Sequence, residues 1–325
     1  MRQEALQSVV MNREARLHLV NKYRVLIIFI ALCAAASMLS EAFLTVNNLL
    51  NVARQVSITA IIAAGMTLVI LIAGIDLSVG SVMAFSGAIA AGMLTAQWPL
   101  GVALIAALLV GLGFGIINGL FVTRWGIPSF ITTLAVMVIA RGMTLVYTQG
   151  YPLVVSHESF RYIGNGKMLG IPLPILIMLF LYASLYWVLR NTSFGRYVYA
   201  IGGNEEASRL SGIPVNTIKV AVFGICGLLS ALSAIVYTSR LMSAQPTAGT
   251  GIELDAIAAV IIGGTSLAGG KGGIAGTLIG ALIMGILDNV LNLMNVSPFY
   301  QSIVKGLVIL AAVLADRTFA KLKIA

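Results

Sequence analysis

Ten stretches of this chain are too apolar and too closely spaced for a water-soluble fold. The first begins near Val25 and lasts until about Leu39; the others cover approximately residues 56–72, 79–96, 100–122, 127–147, 172–189, 219–239, 253–268, 274–294 and 303–315. A helix that crosses a bilayer needs about 20 apolar residues, because each residue rises 1.5 Å through a hydrocarbon core of about 30 Å. Several of the runs are shorter, so they are expected to be tilted, broken or shielded by neighbours. Composition agrees: 59% of residues are apolar and 10% charged, against roughly 45–50% and about 25% in soluble domains. The 34 glycines follow no fixed period, which excludes collagen. The expected fold class is an all-α integral membrane protein with about ten transmembrane helices, some of them broken.

Residues 1–24 are polar and hold Arg2, Arg13, Arg16, Lys22 and Arg24. A signal peptide cleaved near Ala34-Ala35-Ala36 would have an unusually long leader, so the run from Val25 is read as a first membrane helix. With the N-terminus inside, fourteen Lys and Arg fall on inner segments and four (Arg54, Arg161, Lys167 and Arg240) on outer ones. The positive-inside rule accepts that orientation. The expected organisation is a cytoplasmic tail over 1–24, a transmembrane domain over 25–315 with an inner loop at 190–218, and a cytoplasmic tail over 316–325. The net charge of +9 therefore follows membrane topology and does not call for nucleic acid.

No stretch between the runs exceeds about 30 residues, too few for a domain that folds unaided. Cys33 and Cys226 lie inside apolar runs, and His18 and His157 have no ligand-spaced partner, so metal chemistry is not expected. Ala268-Gly269-Gly270-Lys271-Gly272 looks like part of a phosphate-binding loop. The motif fails, because Thr265 stands where glycine is needed and Gly272 where a magnesium-ligating hydroxyl is needed. Gly111, Gly115 and Gly119 lie four apart, as do Gly276 and Gly280; bare faces of this kind let helices approach closely in lipid. Gly74–Gly80 and Gly264–Gly270 share a G-x-x-L-x-x-G frame, each joining two runs, and topology puts both turns on one side.

Segment 190–218 contains a readable short helix. Asn204 is a good N-cap, Glu205 and Glu206 suit the first turn, and Gly212 is a natural stop before Pro214. Two turns are unstable alone in water, so this helix needs a docking surface, on its own membrane domain or on a partner.

The chain resembles the membrane permeases of bacterial ABC importers for ribose and related monosaccharides from about residue 40 to its end. The resemblance is carried by Gly65-Met66-Thr67-Leu68-Val69-Ile70, Gly74-Ile75-Asp76-Leu77-Ser78-Val79-Gly80-Ser81, Phe194-Gly195-Arg196-Tyr197, Gly202-Gly203-Asn204-Glu205-Glu206-Ala207, Ser211-Gly212-Ile213, Ser243-Ala244-Gln245-Pro246-Thr247-Ala248-Gly249-Thr250-Gly251, Glu253-Leu254-Asp255-Ala256-Ile257-Ala258 and Gly263–Gly272. It implies that residues 204–212 are a coupling helix docking on a separate ATPase chain, through Asn204, Glu205, Glu206, Ala207, Arg209, Leu210, Ser211 and Gly212. It also implies a bacterial inner-membrane location, a second permease subunit (a homodimer or a related chain) and a periplasmic sugar-binding protein. No cofactor is expected on this chain, since ATP and magnesium would be used by the ATPase.

Ionisable groups in lipid are costly and functional or paired. Asp76 either caps the helix after it or faces a polar route, and Arg141 is expected to snorkel to the outer interface. Asp288 is the strongest candidate for a translocation pathway, with Asn289 beside it and Asn292 on its own face four residues on. Asn118, Thr132 and Thr133 would add the neutral hydrogen-bonding groups that a polyol needs. Ribose is favoured by resemblance alone, and xylose, allose or a furanosyl signal remain open. The rivals are a proton-coupled secondary transporter working through Asp76 or Asp288, and an intramembrane enzyme, for which no catalytic constellation is assembled.

Overall fold

The structure, a computed structural model, describes residues 25–322, with side chains through residue 314. It is almost entirely helical. In chain order the helices are α1 (Val25–Leu39), α2 (Val46–Leu71), α3 (Val79–Thr95), α4 (Leu100–Arg124), α5 (Ser129–Thr148), α6 (Glu158–Asn165), α7 (Leu173–Asn191), α8 (Ser193–Gly203), α9 (Glu205–Leu210), α10 (Val215–Leu241), α11 (Ile252–Ile262), α12 (Ile274–Leu293) and α13 (Pro298–Leu322). Two small antiparallel pairings join Leu153–Val154 (β1) to Ser243–Ala244 (β4) and Lys167–Met168 (β2) to Ile171–Pro172 (β3).

Each of the ten apolar runs holds a helix, and six of these (α2, α4, α5, α7, α10 and α12) are long and apolar enough to cross a membrane. The boundaries move where polar residues join a helix or glycine ends one. α2 starts at Val46, ten residues before the apolar run, because the Thr45 side chain accepts the backbone N–H of Asn48 at 3.4 Å and caps it there. α11 stops at Ile262, six residues before its run ends, because Gly263 and Gly264 turn the chain, the latter at φ +88°. The inner loop at 190–218 is helical, with α8 preceding the expected short helix. The expected tail at 1–24 lies outside the described residues, whereas α13 runs on through Leu322 into the segment read as the C-terminal tail.

α2 and α10 form the buried centre, with α3, α4, α7 and α12 packed around them. The contact of α4 with α10 depends on bare backbone. A Cβ added at Gly111 would strike the carbonyl of Gly227, one at Gly115 the carbonyl of Phe223, and one at Gly119 the Cα of Val220 at 2.7 Å. Gly276 and Gly280 on α12 meet Gly263, just past α11, and Ala259 within it in the same way. In lipid, where apolar side chains gain nothing by leaving the solvent, such close backbone contact is what drives helices together.

The bundle has two distinguishable ends. At one, α8, α9 and the 263–273 loop gather beside Leu71; at the other, α6 and the β1–β4 pair sit over Thr95 and Arg240. The two glycine turns adjoin at the first end, where Gly270 N–H donates to the Leu71 carbonyl at 2.9 Å. Overfilling a close-packed contact costs roughly 1–3 kcal/mol. Gly115→Leu is therefore expected to lower the thermal midpoint of the detergent-solubilised protein, and Gly113→Leu on the same helix, where an added Cβ meets nothing within 4 Å, to leave it unchanged.

Candidate functional site

Three polar constellations stand out. The first is the end with α8 and α9. The Asn204 side chain accepts the backbone N–H of Ala207 at 2.9 Å, and Gly212 ends the turn at φ +80° with its N–H on the Arg209 carbonyl at 3.1 Å. Glu205 is bound from two directions, by Arg209 at 3.3 Å and by Lys219 of α10 at 2.5 Å. The Lys219 contact is the better shielded, since its side chain is 15% exposed against 54% for Arg209, and exposed pairs contribute little. Arg209 also donates to Asn216 Oδ1 at 3.3 Å, so α9 is tied to the start of α10. Ser208 is buried, while Glu206, Ala207, Ser211 and Leu210 face outward, Leu210 being 84% exposed. An exposed leucine on a six-residue helix offers an apolar contact that no neighbour among the described residues covers.

α8 ties the same end to the membrane helices. A Cβ on Gly202 would run into the Leu71 carbonyl, so α8 passes directly beneath the end of α2. Tyr199 Oη donates to the Gly272 carbonyl at 3.0 Å, and partial burial raises its pKa, which keeps the donating proton in place.

The second constellation is the turn between α2 and α3. Asp76, 1% exposed, accepts both the N–H and the Oγ–H of Ser78, at 2.9 and 2.6 Å. Ser78 holds the N-cap position, so Asp76 fixes the turn rather than capping α3 itself. Asn118 Nδ2 donates to Ser78 Oγ at 2.9 Å, and Thr133 Oγ1 accepts the N–H of Leu77 at 3.1 Å while Ser129 Oγ accepts that of Ile75 at 3.1 Å. Asp76, Asn118 and Thr133 are thus brought together, with Thr132 buried one residue away. Thr132 Oγ1 and Asn118 Oδ1 are buried and find no hydrogen-bond partner among the described residues.

The third lies elsewhere, around α12. Lys305 of α13 stands 3.0 Å from both Asp255 of α11 and Asp288 of α12. Asn289 and Asn48 exchange amide hydrogen bonds of 2.9 and 3.0 Å, and Asn292 accepts from Gln301 at 2.8 Å. Asp288, Asn289 and Asn292 therefore tie α12 to α2, α11 and α13. Lys305 is a charge inside an apolar run to which the sequence alone assigned no role; a lysine so placed is itself the signal that a carboxylate partner exists. In place of the expected snorkelling, Arg141 donates from Nη1 to the carbonyls of Pro246 and Ala248 at 2.7 and 2.9 Å.

Removing the shared cation leaves two uncompensated carboxylates, a loss of about 3 kcal/mol for a largely buried pair. Lys305→Met is expected to lower the thermal midpoint clearly, and the triple change Lys305→Met, Asp255→Asn, Asp288→Asn to restore most of it; equal midpoints for the two would show that the charges do not interact.

Comparison with known proteins bears on these sites together. A family model described as the permease component of the branched-chain amino acid transport system matches residues 48–313. The chain is 53% identical over 297 residues to the ribose import permease protein of Haemophilus influenzae, covering 90% of this chain and 92% of that protein. It is 52% identical over 283 residues to the ribose import permease protein of Bacillus subtilis, covering 86% and 88%. With the L-arabinose transport system permease protein of Escherichia coli it shares 38% identity over 303 residues, covering 93% and 92%. No solved structure matches the chain. Matched by the family model over most of its length and by these permeases over nine tenths of it, the chain belongs to the family of transport-system permease components.

Proposed function

We propose that this chain is the translocation subunit of an ATP-driven importer that carries ribose across the bacterial inner membrane by alternating access. The observation that carries the sugar assignment is the step in identity, 52–53% to ribose permeases against 38% to an arabinose permease over a similar span. The chain is a multi-pass membrane transport subunit and not an enzyme.

In this reading the end with α8 and α9 faces the cytoplasm, because Arg124, Arg190, Arg196, Arg209, Lys219 and Lys271 gather there and basic residues stay inside. α1, α3, α11 and α13 join the six long helices to make ten membrane segments, with both termini cytoplasmic. Residues 204–212 form the coupling helix, and its outward Ala207 and Leu210 insert into a cleft of a separate ATPase chain that uses ATP and magnesium. A periplasmic sugar-binding protein meets the α6 end. A second copy of this chain completes the route, which opens between the copies. Asp76, Asn118, Thr132, Thr133, Asp288, Asn289 and Asn292 stand in the bundle that borders it.

Closure of the ATPases would push two α9 helices together. Glu205–Lys219 and Arg209–Asn216 pass that push to α10, and Gly202 and Tyr199 pass it to α2 and the 263–273 loop. No covalent chemistry occurs on this chain.

Two measurements test the reading. Proteoliposomes holding this chain alone should show neither ATP hydrolysis nor ribose accumulation under a proton gradient, and uptake should appear when the ATPase and binding protein are added; gradient-driven uptake by the chain alone would establish a secondary transporter instead. Ala207→Trp and Gly212→Val should insert normally yet lose ATPase co-purification and uptake, the first by volume and the second by straining a left-handed stop. Lys167→Ala serves as the control, and variants that still capture the ATPase would remove residues 204–212 from the contact.

A further inference from the structure

α10 ends at Leu241, and β4 pairs Ala244 with Leu153 beside α6. From there residues 245–251 turn back into the bundle without forming a helix. Short turns run through them, with Ala248 N–H on the Gln245 carbonyl at 3.0 Å and Ile252 N–H on the Gly249 carbonyl at 3.2 Å. The segment goes deep. Gly249, at φ +71°, lies so close to Gly80 that a Cβ on either would strike the other's backbone. Gly80 is fifteen residues from the Thr95 end of α3, about 22 Å at 1.5 Å per residue. Irregular backbone thus reaches past the midpoint of a core about 30 Å thick.

Lipid cannot satisfy such backbone, so it must be covered by protein or line a water-filled cavity. The side chains of this segment distinguish the two. Thr247 and Thr250 are exposed, and Arg141 and Glu253 are half-buried beside them. The Thr250 hydroxyl donates to the Thr247 carbonyl at 2.8 Å and keeps its acceptor capacity, while the Thr247 hydroxyl meets no partner among the described residues. Arg141 spends Nη1 on the carbonyls of Pro246 and Ala248, which leaves donors on its other nitrogens. Glu253 is the charge that faces it, and the two do not close an ion pair among the described residues.

We propose that Arg141, Thr247, Thr250 and Glu253 form a sugar-contact site inside the membrane, a neutral donor–acceptor set that takes the hydroxyls of a monosaccharide as it passes. The inference rests on the importer reading above and adds residues to it. A separated guanidinium and carboxylate present donors on one side and acceptors on the other with no net charge. That suits a polyol and would offer an ionic solute no compensation. Thr247 and Thr250 are both exposed within one turn, and exposed hydroxyls exchange hydrogen bonds cheaply, as a site that must release its cargo requires.

The test uses the assembled complex of permease, ATPase and sugar-binding protein, with Cys33→Ala and Cys226→Ala as background. A single Thr250→Cys should react with a membrane-impermeant maleimide from the water phase, and ribose-loaded binding protein with trapped ATPase should slow labelling. The double change Thr247→Val, Thr250→Val and the single Glu253→Gln should each cut ribose uptake by about tenfold or more, the scale of one to two lost hydrogen bonds, while the binding protein and ATPase still co-purify. Labelling that sugar does not alter, no labelling in any state, or uptake at the parent rate in the valine variant would each overturn the proposal. Should the parent complex carry a different sugar, the importer's ribose assignment fails, and the same labelling with that sugar still decides the site.

Discussion

Backbone polar groups that lie within hydrocarbon must find partners inside the protein, and every unusual feature of this bundle is an answer to that demand. The turn at 74–78 loses its helical ladder, so Ser129 and Thr133 of α5 take the N–H groups of Ile75 and Leu77, and Asp76 takes that of Ser78. The re-entrant segment at 245–251 loses its ladder too, and Arg141 of α5 takes two of its carbonyls. One helix therefore stabilises both irregular segments, from opposite ends of the bundle, and they touch where Gly80 meets Gly249.

α10 links the two ends of this arrangement. Its first turns are tied to α9 through Lys219 and Asn216, and its last residue leads directly into the segment that re-enters. Twenty-seven residues of helix make a rod of about 40 Å. Its close approach to α4 at Gly227 and Phe223 leaves no compressible side-chain layer between them, so displacement at one end is carried rather than absorbed. The Ser233 hydroxyl bonded to the Ile58 carbonyl at 2.8 Å fixes the same rod to α2 midway along.

How much of this was legible in the sequence depends on the range of each interaction. The ten apolar runs were readable because a helix in lipid keeps its hydrogen bonds local, and the Asn204 cap because its partner is three residues away. Ends shifted where local polarity misled: Asn47, Asn48 and Asn51 read as a loop yet lie in α2, whose polar end is accommodated by the pairing of Asn48 with Asn289, 241 positions on. α6 and α8 were missed because their stability is tertiary: Phe160 and Gly164 press on the end of α10, and Val198 and Ile201 on the core. Arg141 and Lys305 were visible as charges in apolar runs. Their partners, the Pro246 and Ala248 carbonyls and the Asp255–Asp288 pair, come from helices and loops that only folding brings near. The glycine spacing was the long-range signal that did survive in one dimension, since close backbone approach leaves a periodic trace in sequence.

The placement of the carboxylates also bears on how the protein is energised. A proton-coupled carrier needs an acid that gains and loses its proton while facing alternate sides, with its partner exchanged during the cycle. Asp76 is enclosed and committed to two donors from Ser78, two residues away. Asp288 shares Lys305 with Asp255, so a proton arriving there would weaken a three-helix contact rather than report on cargo. Asp76 is occupied in fixing its turn, and Asp288 in holding helices together. The end with α9 is built in the opposite manner, with a rigidly capped helix, a half-shielded ion pair behind it and an apolar Leu210 left outward. In the proposed importer, force would enter there mechanically from a second protein, and the half-shielded pair behind the helix would deliver it to α10 without any change in protonation.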